Sequence, residues 1–416
     1  MVVPNPWIIL PFILLLAAIA LMPLLAGRWW SRNYAAVSLG FGAISLGYYL
    51  FILRNTAQPL HIAHDYFGFI ALVGSLFVVA GGIHVHVKGE ATPAKNMLFL
   101  LLGALTSNIL GTTGAAMLLI RPWIRMNRYR ITGYHVAFFI FIVANVGGGL
   151  TPIGDPPLFL GYLRGVPFWW VARNGWMIWA TGVGILLVLF YILDRINFGR
   201  APRAVRVAET SGESWRFDGL RNLFFLAVIL VAVFVNQPAG LREGLMLAAA
   251  VGSYFATPKS VHEANHFDFH PVREVAILFA GIFATMMPAL DWLGVNASHL
   301  LGAHPVPAMY YFGVGGLSAV LDNAPTYLAF VSALSGVTET PDMTQLLAQH
   351  ASSMLAISFG AVFFGAATYI GNGPNFMVKA IADHQDGHAP TFPGFILRYT
   401  LPFLLPMLMV VWWLFF

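Results

Sequence analysis

The chain has 416 residues, of which 58% are hydrophobic and 9% charged, with a formal net charge of +5. A water-soluble domain of that composition could not cover its surface with polar groups, so the chain reads as an all-α polytopic membrane protein. The absence of cysteine excludes disulfides, thiolate metal sites and cysteine nucleophiles. The positive charge sits in short loops between apolar runs, where it orients helices and does not form a nucleic-acid surface.

The first apolar run, WIILPFILLLAAIALMPLLA at 7–26, has no basic residue before it and no small-residue cleavage site, and reads as a retained helix. Basic residues then cluster at Arg28 and Arg32, at Lys88 and Lys95, at Arg121, Arg125, Arg128 and Arg130, and from Arg195 to Arg221. The positive-inside rule makes these loops cytoplasmic, with Arg54, Arg164, Arg173 and Arg242 as exceptions to the alternation. The segment 97–120 then has cytoplasmic loops on both sides, which one crossing cannot satisfy. A re-entrant hairpin with its tip near NILGTTG does satisfy them.

An apolar stretch over 134–163 follows, interrupted by Thr151-Pro-Ile-Gly-Asp-Pro-Pro157. After a cytoplasmic linker at 194–221, the second half carries a hairpin at 306–335 whose flanks lack Lys and Arg, so it enters from outside. A second broken helix, 351–382, holds Thr368-Tyr-Ile-Gly-Asn-Gly-Pro374. Both breaks fit T-x-I-G-[D/N]-x-P. Halves 1–193 and 222–416 therefore read as two inverted-topology repeats, each with a hairpin and a broken helix.

Proline and glycine stop a regular helix at each break and free backbone carbonyls and amides, which is costly in lipid unless something polar uses them. Freed carbonyls, the Thr151 hydroxyl and the Asp155 carboxylate are hard oxygen ligands for a sodium ion, and a carboxylate can exchange that ion for a proton. Asn372 stands where the first break has Asp155. The hairpin tips add Asn108, Thr112 and Thr113 in one half, and Asp322 and Asn323 in the other. Each intramembrane Asp costs about 2.5 to 3.5 kcal/mol to insert, which argues that both are used. Lys379 reads either as a basic partner of Asp155 or as a snorkelling side chain. His135 reads as an interface residue or a proton relay.

The segments GGGLTPIGDPPLFLGYLRGVPF at 147–168 and SAVLDNAPTYLAF at 318–330, with 109–122, resemble the ion transporter superfamily. Within it they are most similar to sodium/proton antiporters of the NhaD type and to the citrate-transporter (CitMHS-like) group. The resemblance implies scaffold helices around the two repeats, a homodimer, elevator-like alternating access, and Asp155 and Asp322 as cation and proton carboxylates beside Thr151, Asn323, Thr368 and Asn372. The tips here read LGTTG and LDNAP, whereas dicarboxylate carriers of the superfamily carry neutral Ser-Asn-Thr. An acid beside an acidic substrate repels it, so sodium/proton antiport ranks above cation-coupled citrate, carboxylate or oxyanion transport.

The expected protein is no enzyme, has no resident cofactor, carries sodium and protons, and spans a bacterial inner (plasma) membrane several times. Two enzyme readings are weaker. His262-Glu-Ala-Asn-His266 matches the zinc-protease H-E-x-x-H pattern in a polar loop between Pro258 and Pro271, too short for a substrate cleft. An intramembrane aspartyl protease would place its acid pair on neighbouring spans.

Overall fold

The computed structural model describes residues 4–86, 91–200, 216–235, 237–301, 306–385 and 387–416, so Lys88, Arg203 and Arg206 lie outside it. Among these residues seven helices are long and apolar enough to cross a membrane: Pro6–Pro23, Gly27–Ile52, Ala57–Gly81, Pro93–Asn127, Trp170–Gly199, His270–Asn296 and Phe392–Phe415. Outward side chains such as Ile13, Leu39, Ile44, Phe224 and Val231 are large, apolar and exposed, the pattern of a helix that meets lipid. The fold is all-α apart from a two-stranded ribbon pairing His84–His86 with Arg216–Asp218.

The helix Pro93–Asn127 is not one straight rod. Thirty-five residues of continuous helix would hold its ends roughly 50 Å apart, yet Asn96 Nδ2 donates to Asn127 Oδ1 at 2.7 Å and Phe99 stacks on Trp123. The chain reverses at Gly111, with φ 74° and ψ 156°. A side chain there would be strained by that dihedral, and its Cβ would sit 3.2 Å from the Ile153 carbonyl. A second hairpin joins helices Pro307–Ser318 and Asn323–Val337, with Gly313 facing the Phe330 ring across it.

Each hairpin is followed by an interrupted helix. Gly133–Ile142 starts with a capping box between Thr132 and His135. It is apolar on all sides because every side of it is covered: Val136 to Ala144 are each 0% exposed. Irregular backbone over 149–155 leads into Pro156–Leu163, with proline at the first helical position, where its missing N–H costs nothing. In the second half Ala351–Phe364 gives way at 368–372 to Gly373–His384.

The two interrupted segments use the same stitches. Ser107 and Ser318 donate their hydroxyls to Val143 O and Ala361 O, at 2.7 and 2.6 Å. Thr151 and Thr368 donate to the carbonyls of Asn108 and Ala319, at 2.6 and 2.7 Å. Their oxygens in turn accept from the backbone N–H groups of Gly154 and Gly371. Each hairpin is thus sewn to the break in its own half.

The helix Trp170–Arg200 runs past residue 193, so the connection between halves begins later than its charge suggests. Apolar packing from Trp170 through Phe190 carries the helix onward until it reaches the buried Asp194.

Candidate functional site

Breaks and tips converge on one carboxylate. Asp155 is 1% exposed and sits just before Pro156, in the extended backbone where the first break re-enters a helix. Thr112, the residue after the Gly111 reversal, donates its hydroxyl to Asp155 Oδ1 at 2.7 Å. Asn372 of the second break donates Nδ2 to the same oxygen at 3.0 Å. Asn323 of the second hairpin donates Nδ2 to Oδ2 at 2.6 Å. Three segments far apart in sequence therefore meet on one side chain.

All three donors are neutral. No ion pair joins Asp155 to a basic group among the described residues, and Lys379 is paired with Asp383, lying 5.7 Å above the Tyr369 ring. Of the two readings of Lys379, the pairing with Asp155 is not the one the structure shows: Asp383, four residues on and on the same helix face, takes its ammonium. A buried anion without a counter-charge is expensive, so the geometry calls for a proton or a cation at Asp155. The Asn323 Oδ1 acceptor is also buried without a partner.

Asp322 caps the helix Asn323–Val337 by accepting from the Ala324 N–H at 3.1 Å. It lines a small cavity of ≈ 40 Å³ together with Asn372, Thr113, Pro156 and Phe77. A second cavity of ≈ 20 Å³, about the room one water needs, reaches Asp155 and Thr112. The two share Phe69, Val73, Thr113 and Pro156 as walls, so the two acids lie on adjoining small cavities whose lining is mostly apolar.

Other sequence candidates hold the frame. Asn108 donates to Gly147 O at 2.6 Å and accepts from the Leu150 N–H at 2.9 Å. Thr151 and Thr368 spend their hydroxyl protons on hairpin carbonyls, as described, and so fix the breaks. His135 is fully buried elsewhere: its Nε2 lies 3.2 Å from Asp194, which also receives Tyr134, Asn96 and both terminal nitrogens of Arg130. The H-E-x-x-H match fails in three dimensions, because the helix Lys259–Ala264 ends before His266, which has φ 46°. Among the described residues no group of three His, Asp or Glu side chains could hold a metal.

Two residues escaped the sequence reading. Asn145 Nδ2 donates to Asn375 Oδ1 at 2.6 Å, and Asn145 Oδ1 accepts from Asn372 at 3.1 Å, tying the breaks of the two halves together. The signal was there: Asn145 is a lone amide in the run VAFFIFIVANVGGG, and burying it demands a partner.

Relatives are known by their membrane character. An uncharacterised transporter of Mycobacterium bovis is 27% identical over 319 residues, covering 71% of each chain, and one of Mycobacterium tuberculosis matches to the same extent. A 46 kDa membrane protein of Mycobacterium leprae is 28% identical over 320 residues, again covering 71% of each chain. A family model described as putative citrate transport covers residues 3–416, and the chain belongs to that family of transporters.

Proposed function

We propose that this transporter is a cation-coupled secondary carrier in which Asp155 alternately binds sodium and a proton, so that inward proton flow drives sodium out. One observation carries the reading: a fully buried carboxylate met by three neutral donors and, among the described residues, no basic group. Such a site is stable when a small cation or a proton supplies the missing charge, and exchange between the two is transport. Asp322, in the adjoining cavity, is the second proton-accepting group. The interlocked asparagines support an elevator-like movement in which tips and breaks travel as one body.

In proteoliposomes the wild type should dissipate an imposed pH gradient when sodium is added, and Asp155→Asn should lower that rate at least about 100-fold. Sodium at ten times its Kd should stabilise the wild type against heating by about 1.4 kcal/mol and leave Asp155→Asn unchanged. Equal sodium responses in the two proteins would remove Asp155 from the site.

A second reading is favoured by the family match: the cation enters with a carboxylate such as citrate. Bound cation would screen Asp155 from the anion, and uptake of labelled citrate driven by a sodium gradient separates this reading from plain exchange.

A further inference from the structure

Arg121 lies on the returning arm of the first hairpin, ten residues past Gly111. It lines a cavity of ≈ 160 Å³, four times the volume of the one at Asp322, with Asn265, His266, Asp268 and His270. It makes no hydrogen bond or ion pair with any described residue, and its Nε is buried without a partner. A half-buried guanidinium offers donors in a planar fork, and one left unpaired lacks what it is shaped to hold.

The setting around it is rigid and already satisfied. Asn265 gives its amide hydrogens to Gly81 O and Ile83 O and its oxygen to His84, so it pins the loop beside Arg121. Asp268, the cavity's one acid, is exposed and accepts from the His270 N–H at 3.2 Å, so Arg121 remains uncompensated. The cavity shares Phe77 and Pro271 with the cavity that holds Asp322 and Asn372. Three cavities therefore neighbour one another through shared walls between the loop 265–271 and Asp155, with Arg121 in the first.

We propose that Arg121 and its cavity form a binding site for a small multivalent carboxylate or similar oxyanion, occupied before the ligand reaches Asp155 and Asp322. This rests on the second reading above and supplies what the central site lacks, a fixed positive group for an anionic substrate. An Arg fork pairs two carboxylate oxygens at once, and the His266 and His270 rings each carry an N–H donor on the same cavity.

Calorimetric titration of citrate into the protein in phosphatidylcholine nanodiscs tests the proposal without any ion gradient. Wild type should bind. Arg121→Gln should weaken binding about 10- to 100-fold, the worth of a charge-assisted pair, and Arg121→Lys should fall between. Met117→Trp, which fills the cavity and keeps the charge, should also weaken binding, and covers the case in which Arg121→Gln misfolds. Nanodiscs containing phosphatidylglycerol distinguish a lipid headgroup from a soluble anion. Binding of that lipid alone, absence of citrate binding in wild type, or undiminished citrate binding in both Arg121→Gln and Met117→Trp would overturn the assignment. Failure of the cation reading is seen separately, as sodium response persisting in Asp155→Asn.

Discussion

At the scale of single residues, two of the buried acids among the described residues stand in opposite electrostatic situations. Asp155 has three neutral donors, whereas Asp194 has a guanidinium held by two nitrogens, an imidazole and a tyrosine hydroxyl. The first can change its charge partner; the second cannot. Asp194 joins the Trp170–Arg200 helix to the hairpin base through Asn96 and to Arg130, so its role is to fix structure. Asp194→Asn or Arg130→Gln, each leaving a charge buried alone, should destabilise by about 3 to 5 kcal/mol. Because the two losses share one interaction, the double variant should cost clearly less than their sum. Unfolding of all three variants in detergent measures this, and strict additivity would contradict a direct pair.

At the scale of elements, the hairpin at 93–127 is the least ordinary piece. Its apolar composition is that of a spanning helix, and only the charge on both flanks and the Gly111 turn distinguish it. Cysteines replacing Lys95 and Arg128 should both react with a membrane-impermeant maleimide from the same side of oriented vesicles, and reaction from opposite sides would restore a single crossing. The charge pattern thus made the reversal readable from sequence, because topology depends on where basic residues can stay in water. The T-x-I-G-[D/N]-x-P breaks were readable for a similar reason, since proline and glycine act locally. What was not readable is which side chains those breaks would use. Thr151 and Thr368 look like ion ligands in a linear motif, and the motif does not show that a hairpin carbonyl within 2.7 Å of each takes its hydroxyl proton. Asn145 and Asn375 look incidental in sequence, and their bond depends on contacts 230 residues apart. Lys379 found a nearer acid, and the H-E-x-x-H letters lost their helix at His266.

At the scale of the whole molecule, the site belongs to neither half. Asp155 comes from the first, Asn323 and Asn372 from the second, and Asn145 and Asn375 bridge them. The bond from Asn323 spans 168 residues and that from Asn372 spans 217. A ribosome adding about 5 to 20 residues per second makes Asp155 roughly 10 to 30 s before its first distant partner emerges. For that interval the nascent chain holds a carboxyl group in or near the bilayer with most of its donors unmade, and the acid must stay protonated or its loop must wait at the membrane surface. Chains truncated after residue 300 should therefore be cleared by membrane proteases faster than full-length protein in pulse-chase labelling. Asp155→Asn should slow that clearance in the truncated chain and give no such advantage to the complete one. On the proposed function, the substitution expected to stop the finished carrier would then protect the unfinished one.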